Sequence, residues 1–414
     1  MTEPPWLTAD DAAARLGISR ASLYAYVSRG RVRSQKMAGG SRRRGYARED
    51  IERLRRRAEG RRDPDAAAAH ALHWGVPVLE SAITLIDGSR FYYRGYDAVE
   101  LARTRSVDEV ASLIWTGRLD PGGLRAARTR LRKAPPPLRM PQSGSFVTRA
   151  QRALAAVSAS DPAAFDLRPE HVAAAGSRIL ATVVAAATAA PPGVRMSGSI
   201  DVALGRAWKL DDRDIGIVRA ALILCADHEL NVSSFTARCI ASAGSSPYAV
   251  VIGGLAALEG PRHGGASARA EAMLESVRKS RDLAGAVRAR LQRGEPIEGF
   301  GHPLYPDGDP RAKALFERLR AAYPRSPELA FVLAFERAAS AAGRGHPNLD
   351  FALTAVSRVL RLPPGSPIVL FATGRTIGWI GHAIEQYATG QLIRPRAKYV
   401  GERPVSVGKP ENVL

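Results

Sequence analysis

Residues 212–231 read DRDIGIVRAALILCADHELN. Ile215, Val218, Leu222 and Cys225 recur there at three- and four-residue steps, so they share one face of a helix that Asp212 leads. The helix runs into Asp227-His228-Glu229-Leu230-Asn231, where ionisable and amide side chains gather. The same alternation of amphipathic helix and polar loop extends outward from this stretch. Ser106 to Glu109 has the spacing of a capping box and leads into Val110, Leu113 and Ile114, with Gly117 as the stop. Strand signals are sparse; the best is Ile83-Thr84-Leu85 and Phe91-Tyr92-Tyr93 around Asp87-Gly88, a single hairpin. Strand–helix alternation and repeats of roughly 20–50 residues are both missing, so α/β barrels, Rossmann sheets and solenoids fit poorly. The pattern predicts a mainly α, multi-helix fold from residue 72 onward.

Composition sets the class. The chain has 414 residues, 45% apolar and 24% charged, which is the balance of a globular protein. Two cysteines, Cys225 and Cys239, cannot build a disulfide framework or a four-thiolate metal site, and no metal is expected. They fit a reducing cytoplasm. The longest apolar run, Ile179 to Ala190, stops at Pro191-Pro192, short of the roughly 18–20 residues that span a bilayer. Met1 to Asp11 has neither the basic flank nor the apolar stretch of a signal peptide. A soluble, cytoplasmic protein is the expectation. The net charge of +20 comes from 53 Arg and only seven Lys, the mark of a compositional bias. Its distribution says more: residues 1–62 hold 16 basic against 7 acidic side chains, the footprint of a nucleic-acid contact.

That basic segment reads as three short helices with a hairpin between the second and third. Thr8 and Asp11 have capping-box spacing, Gly17 breaks the first helix, Ser19 can cap the second and Gly30 stops it. Arg48-Glu49-Asp50-Ile51 opens the third. The strings LTADDAAARLGISRASLYAYVSRGRV (7–32) and SRRRGYAREDIERL (41–54) resemble the winged helix-turn-helix of the MerR and excisionase families. The resemblance implies a small domain over residues 1–58 whose second helix enters the major groove. Arg20, Ser22 and Tyr24 would face bases or backbone, and Arg42, Arg43 and Arg44 of the wing would lie along phosphates. The alternative is a packing or regulatory module with no DNA partner. Residues 59–71, with Arg61-Arg62-Asp63-Pro64 and an alanine run, read as a linker.

Negative motifs narrow the chemistry of the remainder. It has no G-x-x-x-x-G-K-[ST] loop, no G-x-G-x-x-G after a strand, no H-E-x-x-H and no G-x-S-x-G. What remains is a set of His, Asp and Arg residues beside Gly, Pro or Asn, in loops where backbone can approach a ligand. They fall in ADHELNVSSFTAR (226–238), GPRHGGA (260–266), GFGHPLYPDGDPRAK (299–313), PNLDF (347–351), GRTIGWIGHAIEQ (374–386) and LIRPRAKYVG (392–401). Together with LESAITLIDGSRFYYRGYD (79–97), these strings resemble the citrate synthases of bacteria over about residues 72–414.

The resemblance implies an all-α homodimeric acyltransferase, with a small domain at about 268–360 inserted in a large one. The domains would close over oxaloacetate and acetyl-CoA, which enters as substrate, so no cofactor is expected. Asp350 would be the base that takes a methyl proton of the thioester. His263 would stabilise the enol or enolate, and His302 would polarise the ketone of oxaloacetate and protonate the alkoxide. Arg311, Arg375 and Arg394 would bind the two carboxylates, Arg394 from the partner subunit, with His228 completing the pocket and Asn231 supporting its loop. Three departures bear on acyl-CoA recognition: Cys225 and Ser267 stand where the family commonly has His and Asn, and Pro303, Pro306 and Asp307 where it often has cations. The likeness also puts the stripe Gly374, Gly378, Gly381 near the dimer core, against tight packing inside the subunit. Three functions fit: a tricarboxylic acid cycle citrate synthase, a 2-methylcitrate synthase using propionyl-CoA, or a DNA-binding regulator that uses the synthase fold as a metabolite sensor.

Overall fold

The computed structural model describes residues 6–36, 44–52, 54–55, 79–124, 144–188 and 198–402. It divides into two units, Met1–Glu80 and Ser81–Leu414. The linker read at 59–71 lies outside the described residues.

In the first unit, β1 (Trp6–Leu7) precedes α1 (Ala9–Leu16) and α2 (Arg20–Ser28), and β2 (Ser34–Lys36) and β3 (Arg44–Ala47) follow. Residues 48–52 are helical again. Thr8 caps α1, its Oγ1 accepting from Asp11 N at 3.2 Å. Asp11 answers at the Thr8 hydroxyl, which donates to its Oδ2 at 2.7 Å. Gly17 takes φ +63°, which lets the chain reverse at once into the Ser19 cap of α2. The strands form an antiparallel sheet in the order β1-β3-β2, pairing Leu7 with Tyr46 and Ser34 with Tyr46. The sequence reading had the β2–β3 hairpin and no β1, a two-residue strand too short to show a period. Leu7, Ala12, Ala13, Leu23, Val32, Tyr46 and Ile51 make the core.

The second unit begins with an antiparallel sheet of β4 (Thr84–Asp87), β5 (Arg90–Tyr93) and β6 (Tyr96–Asp97). The hairpin is the expected one; β6, again two residues, is an addition. Helices follow: α3 (Ala98–Thr104), α4 (Val107–Thr116), α5 (Phe146–Ser160), α6 (Pro169–Ala187), α7 (Ile200–Ala207), α8 (Asp212–Leu224), α9 (Val232–Ser242) and α10 (Pro247–Leu258). Then come α11 (Gly265–Ser276), α12 (Leu283–Gln292), α13 (Pro310–Ala322), α14 (Pro327–Ala341), α15 (Leu349–Val359) and α16 (Ser366–Thr389). The fold is mainly α. The capping box at Ser106 and Glu109 is present, and Gly117 ends α4 at φ +75°. The cap of α8 is Asp211, one residue before the Asp212 read from sequence. Beyond Ile215 nearly every residue of α8 is buried, because it lies against α16 on one side and α3 and α13 on others.

Helix α16 is buried for most of its length and organises the unit. Its glycine stripe faces inward, which corrects the expectation of a dimer-core stripe. A Cβ at Gly374 would lie 2.4 Å from Leu222 O, one at Gly378 2.6 Å from Asp227 Oδ1, and one at Gly381 2.6 Å from Ile114 Cγ2. Bare backbone at these three steps is what lets α16 touch α8, the Asp227 loop and α4 inside one subunit. No described helix is long and apolar enough to cross a membrane, and no cluster among the described residues could hold a metal ion.

Candidate active site

The loops between these helices bring most of the singled-out residues together. Tyr93, at the end of β5, sends its hydroxyl to within 3.0 Å of Ile223 O and 3.1 Å of Asp227 O, fixing the turn after α8. Buried Asp227 is held from the other side by Thr84 Oγ1 at 2.6 Å and His382 Nε2 at 3.1 Å. The neighbouring His228 Nε2 meets Tyr305 OH at 2.9 Å. The His302 ring stands edge-on to His228, centroids 5.3 Å apart, and 5.0 Å from Tyr305.

The loops carrying His302 and Asp350 are tied to each other. Gly301 N donates to His346 O at 2.8 Å, Asn348 N donates to Gly299 O at 2.9 Å, and Phe300 pairs with Pro347 as an isolated bridge. Gly299, at φ +81°, has no room for a side chain: a Cβ would sit 2.7 Å from that of Phe351. Asp309 adds a second tie. Its carboxylate accepts from Arg311 Nε at 2.9 Å and Nη2 at 2.7 Å, and from Leu349 N at 3.0 Å, linking the start of α13 to that of α15. Asp350, in the first turn of α15, accepts at Oδ1 from the buried Ser267 hydroxyl of α11.

His263 completes the set. Its Nε2 lies 2.8 Å from Ser233 Oγ, and its ring stands edge-on to Phe371 at 5.7 Å. The Arg375 guanidinium lies over the same Phe371 ring, 4.7 Å from its centroid. Arg375 is buried; Nε donates to Cys225 O at 2.9 Å, and Nη1 is buried with no hydrogen-bond partner among the described residues. Asn231 serves as the cap of α9, its Oδ1 accepting from Ser234 N at 3.0 Å and Ser233 Oγ at 2.9 Å.

Burial dominates the electrostatics. It pushes the His263 imidazolium down to about 4, with the Arg375 charge adding to it, and His302 to about 4, with Arg311 adding. His228 is driven well below the usual range by burial, Arg311 and Arg375. All three rings are therefore neutral near pH 7. Leu304 N donates to His302 Nδ1 at 3.2 Å, so the one ring proton of His302 sits on Nε2. Burial raises the Asp350 carboxyl, partly countered by the Ser267 hydrogen bond and Arg311. Burial also opposes ionisation of Asp309, but Arg311 outweighs it and holds that carboxyl below the usual range.

Arg394 is exposed on the irregular segment after α16, outside the contacts that join the others. In the first unit, Arg20, Ser22 and Tyr24 are exposed on α2, with Arg20 ion-paired to Asp10 and Ser22 Oγ 3.0 Å from Ser19 Oγ. Arg44 is exposed at the start of β3, and Arg42 and Arg43 lie outside the described residues. Sequence reasoning missed Ser233, Tyr305 and the ties made by Ser267 and Asp309. Only Asp309 carried a local signal, an acid immediately before the proline that opens a helix.

Comparison with known proteins gives the family and the fold. The citrate synthase C-terminal domain family matches residues 71–396, and a helix-turn-helix domain family matches residues 6–58. Citrate synthase of Haloferax volcanii is 31% identical over 368 residues, covering 80% of this chain and 95% of that protein. The 2-methylcitrate synthase of Shewanella oneidensis is 29% identical with the same coverage. A Mycobacterium tuberculosis protein whose name also refers to citrate synthase is 39% identical over 212 residues; that match spans 49% of this chain and only 55% of the relative. Among solved structures, Thermoplasma acidophilum citrate synthase, in a ternary complex with carboxymethyl coenzyme A and oxaloacetate, superposes with a TM-score of 0.68. It is 26% identical and covers 80% of this chain and 95% of that one. Behind an N-terminal helix-turn-helix domain, the chain belongs to the citrate synthase family.

Proposed function

We propose that the protein condenses oxaloacetate with acetyl-CoA and water to give citrate and CoA. The observation that carries this reading is one buried site uniting a raised carboxyl, two neutral imidazoles and two guanidiniums. A methyl proton beside a thioester is far less acidic than a carboxylic acid, so Asp350 needs help to remove it. Its raised basicity is one part of that help. Stabilising the enolate oxygen is the other. Ser233 has one proton, which Asn231 Oδ1 takes in this structure; turned instead to His263 Nε2, it leaves neutral His263 to present Nδ1–H to the thioester oxygen. The enol carbon then attacks the ketone of oxaloacetate, and His302 donates from Nε2 to the new alkoxide. Arg311 and Arg375 bind the two carboxylates through charge-assisted forks. Water then cleaves the thioester and frees CoA.

Three further elements belong to the proposal. The small domain at about 268–360 closes over the substrates and excludes water. The chain acts as a homodimer in which the exposed Arg394 completes the partner's carboxylate pocket. The basic first unit binds duplex DNA through Arg20, Ser22, Tyr24 and Arg42–Arg44, for which the exposure of α2 is the support. A second acyl donor, propionyl-CoA, is favoured by the likeness to the Shewanella enzyme over the same share of the chain. Spectrophotometric CoA release with oxaloacetate and either thioester tests both readings. The higher kcat/KM names the substrate, and no release with either rejects an enzyme in favour of a DNA-binding metabolite sensor.

A further inference from the structure

We infer that Ser267 is a positioning residue for the Asp350 base, an inference that rests on the condensation chemistry proposed above. Ser267 is fully buried on α11, and its hydroxyl donates to Asp350 Oδ1 across the packed contact between α11 and α15. The Asn348 side chain holds the other end of the residue: its Oδ1 accepts from Asp350 N at 3.0 Å, so main chain and Oδ1 are both pinned. Oδ2 has no hydrogen-bond partner among the described residues, and the side chain remains partly accessible. One oxygen is thus fixed while the other is left to take the proton as the C–H pair becomes the enolate C=C bond and the carbonyl π pair moves onto the thioester oxygen.

A hydroxyl donor stabilises the carboxylate over the acid, so it also limits how far burial raises this base. The other charged or titratable groups acting on Asp350 are Arg311 and Asp309 at the start of α13, Arg269 on α11, and the Cys225 thiol at the end of α8. None of these donates a hydrogen bond to its carboxylate.

The test compares Ser267→Ala, Ser267→Thr and Ser267→Asn in the full-length protein, by kcat, KM and pH profile in the CoA-release assay and by calorimetric titration of oxaloacetate. The alanine variant should lose kcat by roughly 10- to 100-fold, the scale of a hydrogen bond to a charged group. Its acidic limb should move to higher pH, because losing the donor raises the carboxyl further. Oxaloacetate affinity should stay within about twofold, since the carboxylate forks are untouched. Threonine, which keeps the hydroxyl, should restore both kcat and the acidic limb; asparagine, which offers an N–H, should restore them in part. If the alanine variant does not fold, threonine and asparagine still decide: two donors of different strength must give different acidic limbs. An unchanged limb and kcat in alanine, or identical limbs in threonine and asparagine, overturn the inference while the enzyme reading stands. Wild-type protein that releases no CoA overturns that reading and this inference with it.

Discussion

Arg311 at the start of α13 and Arg375 in the middle of α16 are both buried, yet they are held in opposite ways. Arg311 has its own counter-ion: Asp309 takes Nε and Nη2 in a two-pronged pair and ties the result to Leu349 N. Among the described residues Arg375 donates to a single backbone carbonyl, and its Nη1 has no hydrogen-bond partner. Burial disfavours both cations, but Asp309 reverses the effect for Arg311, while for Arg375 the loss of hydration stays in force. The first is a buried ion pair that is neutralised within the fold. The second keeps its desolvation cost, so under the proposed function a carboxylate bound there would gain more than it would at a neutralised site.

The largest effect separates chemistry from both arginines. Asp350→Asn should lower turnover on the order of 1,000-fold or more, the scale of a general base, with oxaloacetate affinity within a few-fold. Turnover near wild type in that variant would remove Asp350 from the mechanism. Mixing Arg394→Ala with Asp350→Asn subunits comes next. If each site borrows Arg394, half of each hybrid is restored, and random mixing of two inactive parents should recover about a quarter of wild-type activity. Verified hybrids without recovery would reject the assignment of Arg394 to the partner's site.

Arg311→Met and Arg375→Met then test the contrast itself. Removing Arg311 strands a buried carboxylate, at about 3–5 kcal/mol, and should lower the melting temperature on the order of 5–10 °C. Arg375→Met removes an under-paired charge, so its melting temperature should stay within about 3 °C of wild type or rise, while oxaloacetate affinity falls roughly 10- to 100-fold. Equal thermal losses in the two variants would erase the distinction. The smallest effect lies in the first unit, where Arg20 is exposed and its Asp10 partner is easily exchanged for phosphate. In duplex-binding titrations over a salt series, Arg20→Ala should reduce the slope of log affinity against log salt by about one. Binding by wild type no better than that of residues 72–414 would leave the helix-turn-helix without DNA.

How much of this was legible depended on distance along the chain. Ser106 with Glu109, the hairpin at Asp87-Gly88 and the α8 stretch were readable because each signal lies within a few residues of its partner. The site loops could be found as well, since Gly, Pro and Asn flank His263, His302 and Asp350. What could not be read was pairing at long range. Ser233 reaches His263 across 30 residues, His228 reaches Tyr305 across 77 and Ser267 reaches Asp350 across 83. No local period encodes such contacts. The direction of the glycine stripe failed for the same reason: small residues at helical spacing announce a close approach, and only the tertiary structure says to what.

That stripe also divides the molecule by its tolerance of sequence drift. At Gly374 and Gly378 the first obstacle to an added methyl is a backbone carbonyl, which no change of rotamer can move aside. The wall that carries Arg375 and steadies the Asp227–His228 turn is therefore closed to stepwise alteration from beneath. Ser267 and Cys225 are different, because there a side chain meets a neighbour through its own length and can be exchanged one atom at a time. New acyl preferences in this lineage should arise through the α11 side and the end of α8, with Gly374 and Gly378 of α16 as fixed ground.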